Sequence, residues 1–382
     1  MANELLPAGR GYLYIKTEST YATDPTAGAT NVIYVEDFSW SYSQDEIPRT
    51  GISPGHPGGW KSEAGTKHLS FSFTCEIRPQ TITTANDADA PNIDPIFRGG
   101  GFVRTSVAST TDTHAYVLDP ANHESFWMEF YAIDEDNADG NKVIFPGCRC
   151  SLSFTFDPGG RIMCSVSGLA VYNAAAGVTS IGAGAATLTY SSDEAVMARA
   201  ATLQWSNVDN SDAMYGGGSL ASPGNAVLVR SLTIDCNMNP VERMGLTATN
   251  GVGGIRLAPS GPPMASGTYE AVEVDDFDPW AIRAAKQSMH NRLIFPAPTG
   301  TTTTTTVLFY GQIVGEIDES EADVRTWSID QAMRYPEEAV GASPAVGVAP
   351  TQAFTAGTNQ GLPLAVAGIT SGVLAFLFTT PQ

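Results

Sequence analysis

The sequence predicts a mainly β protein, built as two tandem β-sandwich or barrel units, each with one short flanking α-helix. Three observations carry this expectation. Apolar and polar residues alternate with a period of two along much of the chain. Gly (38) and Pro (24) punctuate these runs as turn residues. The two halves also overlay with strands, turns and helix starts in the same order. A length of 382 residues suits about two to three domains, each able to bury its own core.

The strands come first. In His68–Ile77, Leu69, Phe71, Phe73, Cys75 and Ile77 share one face, while Ser70, Ser72, Thr74 and Glu76 share the other. Ser151–Asp157 repeats the device with Leu152, Phe154 and Phe156 against Ser151, Ser153, Thr155 and Asp157. Val32–Tyr42, Phe126–Ile133, Ile162–Val171, Val227–Cys236, Thr268–Val274, Val307–Ile317 and Val324–Ile329 also read as strands. Sheets of this kind want a core on one face and water or a partner on the other. Two helices interrupt them. One starts at Asp94-Pro95 and stops at Gly99-Gly100-Gly101; the other has Asp278 as N-cap, Pro279 at its first position, and runs from Trp280 to His290.

The repeat sets the boundaries. Val32–Ser53 overlays Ala226–Thr247 without a gap, placing Ile33-Tyr34-Val35 on Val227-Leu228-Val229 and Arg49 and Gly51 on Arg243 and Gly245. Each half then has a strand, an Asp-Pro helix start and a closing strand pair. Residues 1–172 form the first unit with an N-terminal arm (Met1–Thr26), 173–219 a Gly/Ala/Ser-rich connector with a strand near Ala201–Trp205, and 220–335 the second unit. Residues 336–382 form an extension, uncharged from Ala339 onward, whose apolar Val373–Phe378 is expected to dock as a strand on its own chain or a neighbour.

Charge and cysteine usage exclude several functions. Forty acidic against 20 basic residues give a net charge of −20, which disfavours non-specific adhesion to DNA or anionic membrane. No apolar run approaches the roughly 20 residues of a membrane span, and Met1-Ala2-Asn3-Glu4 opens no recognisable signal peptide. Cys75, Cys148, Cys150, Cys164 and Cys236 lack metal-site spacing and read as buried reduced thiols. The five His are scattered, the glycine triplets lack a phosphate-loop Lys, and Asp134–Asn141 lacks the twelfth-position Glu of a calcium loop. No catalytic residue, metal or cofactor is therefore expected.

Lys16-Thr17-Glu18-Ser19-Thr20-Tyr21-Ala22-Thr23-Asp24-Pro25-Thr26, followed by Asn31–Phe38, resembles the start of major tail tube proteins of long-tailed bacteriophages. Those commonly open with a Glu-x-Thr-Tyr-Gly-Thr-Asp-Pro stretch, in which Ala22 here replaces the glycine. The resemblance covers residues 10–335, with the order of the later elements following it. It implies two tandem tail-tube-type domains in a structural subunit that polymerises as stacked rings around a lumen conducting DNA. Since such rings hold six tube domains, a fused pair implies a trimeric ring with pseudo-sixfold symmetry, and the hexamer is the alternative. The implied partners are further copies of the chain and the tail terminator, tape measure and baseplate proteins. DNA passes without specific binding, no membrane is involved, and the implied location is the virion.

The turn-rich segment Gln44–Glu63 should project from the sheets, and the resemblance makes it the contact between rings, with Arg49, Trp60 and Lys61 as contact residues and Arg243 at the repeat-related position. The acidic lumen candidates are strand residues opposite the apolar faces: Glu76, Glu129, Asp157 and Asp235. Two other readings compete: a glycan-degrading enzyme using a carboxylate pair, and a carbohydrate-binding β-module using its Trp and Tyr. Trp40, Trp127, Trp205 and Trp327 sit in apolar strand contexts, which favours packing over binding.

Overall fold

The computed structural model describes residues 11–25, 31–48, 62–80, 82, 90–107, 111–119, 123–133, 140–172, 177–181, 194–199, 201–207, 214–215, 228–245, 252–271, 278–286, 288–299, 301–321, 324–333 and 373–381. The first part of the chain forms β1 (Gly11–Thr17), β2 (Val32–Ile33), β3 (Val35–Ile47), β4 (Glu63–Glu76), α1 (Asp94–Gly99), β5 (Phe102–Val107), β6 (Thr111–Leu118), β7 (Phe126–Ile133), β8 (Gly140–Phe156), β9 (Met163–Ala170) and β10 (Gly177–Ile181). The rest forms β11 (Thr202–Asn207), β12 (Met214–Tyr215), β13 (Val229–Asp235), β14 (Met238–Met244), β15 (Val252–Pro259), β16 (Met264–Glu270), α2 (Pro279–Ala284), β17 (Ser288–Phe295), β18 (Thr304–Glu321), β19 (Arg325–Met333) and β20 (Leu374–Pro381). The protein is mainly β, as its alternation predicts.

One antiparallel run organises the molecule: β3-β4-β9-β8-β13-β16-β19-β18. Its first four strands and its last four follow the same layout. The gapless overlay read from the sequence sets Val35, which opens β3, on Val229, which opens β13. The register repeats too: Trp40 faces Phe71 as Ile234 faces Ala265. The trailing half of β8 pairs with β13 (Phe154 opposite Ile234), which joins the two four-stranded parts edge to edge.

The leading halves of β8 and β18 leave this sheet for two others. One has the order β2-β1-β7-β8-β10. The other runs β12-β11-β17-β18-β20-β6-β5. β8 changes sheet at Pro146-Gly147. Gly147 has φ +62°, and a Cβ there would lie 3.0 Å from the Tyr21 ring, so the crossing needs glycine on both counts. One apolar core runs through both halves, from Leu13, Phe71 and Phe145 to Ile234, Phe295 and Trp327. All five cysteines are free and buried within it or beside it. Burial pushes the Cys148, Cys150, Cys164 and Cys236 thiols up, so they stay protonated.

Several expectations need correction. Of the N-terminal arm Met1–Thr26, the part from Gly11 to Thr17 is β1, a central strand between β2 and β7 with Leu13 and Ile15 buried, and residues 1–10 lie outside the described residues. The second helix ends at Ala284, not His290. Lys286 takes φ +53° and terminates it, and β17 follows, with Asn291, Leu293 and Phe295 buried at period two. The extension supplies β20, which inserts between β6 and β18 of its own chain. There the buried Phe376 packs on Phe97 of α1 and on Phe154, with ring centroids 5.1 and 4.5 Å away. Asp278 does cap α2, accepting from the Ala281 amide at 2.9 Å. Asp94 caps nothing; buried, it takes the Tyr116 hydroxyl (2.8 Å) and Arg104 (2.9 Å).

Candidate functional site

The inner face of the eight-stranded sheet is apolar, and its outer face is paved with hydroxyls. Strand register sets these in rows: Ser39, Ser72, Ser167 and Ser151; then Thr74, Ser165, Ser153 and Asp235; then Thr155, Thr233, Ser266 and Asp330; then Ser231, Thr268, Ser328 and Asp318. At the β3 border the hydroxyls satisfy each other across strands, Ser39 with Ser72 at 2.8 Å and Ser41 with Ser70 at 2.7 Å. Serine and threonine here give a smooth, hydrogen-bonding and largely uncharged surface. A groove of about 600 Å³ opens on it between Ser39, Ser41, Ser70 and Ser72 and the overhanging Asn239-Pro240.

Among the described residues both lateral borders of this sheet are open. Among the described residues β3 pairs only with β4, and the trailing part of β18 pairs only with β19. β3 exposes Trp40 and Tyr42. The β18 border carries Glu316, Asp318, Glu319 and Glu321, of which Glu319 and Glu321 are paired with Arg325. Unpaired strand borders of this length are templates for further pairing.

The residues named from the sequence fall in different places. Asp235 lies on the hydroxyl face, half-buried, with its carboxylate accepting the Asn237 amide at 2.8 Å. Asp157 is exposed just beyond β8. Glu76 shares the face but presents no free carboxylate: Arg78 donates to it at 2.9 Å and Arg161 pairs with its other oxygen. Glu129 is off the face altogether, being on β7 in another sheet and buried. The Trp127 indole (2.8 Å), the Tyr131 hydroxyl (2.6 Å) and Lys142 (3.3 Å) close over it. Burial, with Glu129 accepting its proton, pushes the Tyr131 phenol far up. Alternation put Glu129 opposite the apolar side of β7, but that side of β7 is covered as well. Sequence reasoning missed Asp318 and Asp330; Asp330 continues the Thr326–Ser328 alternation one step past the strand end that was read.

Arg49, Trp60 and Lys61 lie outside the described residues. Arg243 is exposed on β14. The two strands of its hairpin, β14 and β15, pack on the molecule, with Val252, Ile255 and Leu257 buried on the inner side. The hairpin is clipped to the first half of the chain at three points. Arg149 donates to the Ile255 carbonyl at 2.6 Å, the Ile255 amide donates to the Tyr21 hydroxyl at 2.7 Å, and His68 bridges Glu242 (2.8 Å) and Asp45 (3.2 Å). Burial disfavours the charged form of His68, but its two carboxylate partners outweigh that and raise its pKa. Burial lowers the Arg149 pKa; its guanidinium sits over the Tyr21 ring at 5.4 Å and donates to His123 at 2.6 Å.

The motif Glu18–Pro25 forms the other end of this clip. The Glu18 carboxylate accepts from the Gly147 amide (2.8 Å), the Ala22 amide (2.9 Å) and the Ser125 hydroxyl (2.5 Å). Burial nonetheless raises its pKa against those three donors. Ala22 sits at φ +54°, the left-handed region that favours glycine. Among the described residues no group of His, Cys, Asp and Glu is placed to hold a metal ion, and no helix is long and apolar enough to cross a membrane. Comparison with known proteins found no family model and no curated protein that matches this chain.

Proposed function

We propose that the chain is the structural subunit of a bacteriophage tail tube, with three copies closing a ring whose continuous inner barrel conducts DNA. One observation carries the reading: an eight-stranded sheet that repeats a four-stranded layout, joins its own two parts edge to edge, and leaves the corresponding edge open at each border. Pairing the β18 border of one copy with the β3 border of the next repeats outside the chain the β8–β13 contact made inside it. The hydroxyl face then lines the lumen. Hydroxyls offer phosphate no counterion release, and Asp235, Asp318 and Asp330 repel it, so DNA slides without adhering. The resemblance of Glu18–Pro25 to tail tube proteins supports the same conclusion.

The internal contact sets the register. Asp235 faces Ser153 across β13–β8. Ser41 occupies the place of Asp235 in β3, and Asp318 that of Ser153 in β18, since Ser165 of β9 and Ser328 of β19 stand opposite them in turn. Ser41 of one copy therefore faces Asp318 of the next. A Ser41→Cys/Asp318→Cys variant, oxidised after assembly, should give a ladder of covalent chains ending in a closed three-membered species. The native cysteines are buried and should not contribute. A ladder closing at six chains would replace the trimer by the hexamer. Chains that stay single at every concentration would overturn the tube reading.

A further inference from the structure

Resting on that reading, we infer that the two halves divide the lumen between them: the hydroxyl face of the first half is the track along which the phosphates of duplex DNA run, and that of the second half is an acidic stripe that keeps them off. Three repeat-related positions carry this. Where the second half places Asp235, Asp318 and Asp330, the first places Ser41, Ser153 and Ser167. Hydroxyls between them are common to both, Ser72 corresponding to Ser266 and Thr74 to Thr268. The halves therefore share a hydrogen-bonding surface and differ in its charge.

An uncharged band crosses all four strands of the first half. Residues 38–44 of β3, 69–75 of β4 and 150–156 of β8, and the whole of β9, hold no charged residue. The charges of this half stand at the two ends of the band. Glu36, Asp37, Glu76 and Asp157 lie at one, with Arg78 and Arg161; Asp45, Glu46, Glu63, Lys67, His68 and Arg149 lie at the other. The groove of about 600 Å³ opens in the band, and every residue lining it is uncharged. In the corresponding band of the second half Asp235, Asp318 and Asp330 stand on the hydroxyl face. Glu316, Glu319 and Glu321 follow at the β18 border, with Arg325 on the last two. Arg230 and Glu270, paired at 2.9 Å, lie beyond it toward the end. A serine hydroxyl donates to a passing phosphate and reads no sequence, and without a cation there is no counterion release to hold the phosphate in place. A carboxylate repels the same phosphate over about 8–10 Å at ordinary ionic strength. Ser266 has Asp330 directly opposite, one strand spacing or about 5 Å away, whereas Ser167 has Ser72 and Ser151 on its two sides. A ring of three copies thus presents three neutral tracks between three acidic stripes.

The test uses tubes assembled from the full chain and a short fluorescent DNA duplex, which diffuses in from the open ends. Ser167→Cys and Ser266→Cys, both at exposed positions, each carry a thiol-linked photocrosslinker, and the five native cysteines are buried. Ser167→Cys tubes should crosslink about three- to tenfold more DNA than Ser266→Cys tubes, the range expected for carboxylates about 5–8 Å from a phosphate near a protein surface. Adding Asp235→Ser/Asp318→Ser/Asp330→Ser should raise the Ser266→Cys yield to that of Ser167→Cys. Equal yields before that change, a larger yield from Ser266→Cys, or a difference that survives it would overturn the division and leave the tube standing. Tubes that crosslink no DNA from either position would overturn the tube reading itself, because the hydroxyl face would not line the lumen. Chains that form no tube would overturn that reading and this division together.

Discussion

Removing one oxygen atom should loosen the join between the two halves of this chain. Tyr21→Phe deletes the hydroxyl that accepts the Ile255 amide at 2.7 Å. Ile255 is buried, so its N–H finds no water in exchange. An orphaned buried donor costs about 1–3 kcal/mol. The phenyl ring remains, and so does its packing over Gly147 and Gly254. The Arg149 and His68 contacts of the hairpin are untouched, so the loss should stay local. Native-state hydrogen exchange reads it: protection of the Ile255 amide should fall about 5- to 150-fold, the range that 1–3 kcal/mol spans. Amides of β8 and β13 should keep wild-type protection. Unchanged exchange at Ile255 would refute the claim that the tyrosine clips the hairpin in place. Uniform loss over the whole chain would assign Tyr21 to the global core instead.

Two more outcomes follow from the same region. Ala22→Gly relieves a left-handed backbone that costs an L-residue about 1–2 kcal/mol, partly offset by glycine's entropy, so the urea midpoint should rise by the equivalent of about 1 kcal/mol; a lower midpoint would show that Ala22 is unstrained. His68 is held above its ordinary value of 6.5 by Asp45 and Glu242. Its linked stabilisation is complete below about pH 6.5 and disappears as pH rises through the raised folded value. Hairpin protection should therefore drop as pH rises from about 6.5 through the raised folded value in the wild type and stay flat in His68→Gln; identical profiles would remove His68 as the cause.

The role of Glu18, Tyr21 and Ala22 was legible as a motif but not as a mechanism. A Glu three residues before a Tyr says nothing about Gly147 or Ile255, which lie 129 and 234 residues away from their partners. The acidic candidates separate for a similar reason. Glu76 and Asp235 both alternate with hydroxyl residues in the sequence. Arg78, two residues on, and Arg161, 85 residues further on, together neutralise Glu76, whereas Asp235 keeps its carboxylate on the open face with the Asn237 amide alone. β17 shows the limit in the other direction. A capped start at Asp278 made a long helix plausible, yet the left-handed Lys286 stops it after six residues and hands the apolar side chains to a period-two strand.

By itself the sequence determined the β class, the apolar side of strands such as β4, β8 and β9, and the α2 cap. These depend on alternation and turn chemistry, which act over a few residues. Only the tertiary structure decided that β8 joins β13, that β20 enters between β6 and β18, and that, among the described residues, β3 and the trailing part of β18 each have one partner. Strand partners are chosen by hydrogen bonds between segments far apart in the chain, and a period of two is the same whichever strand lies alongside.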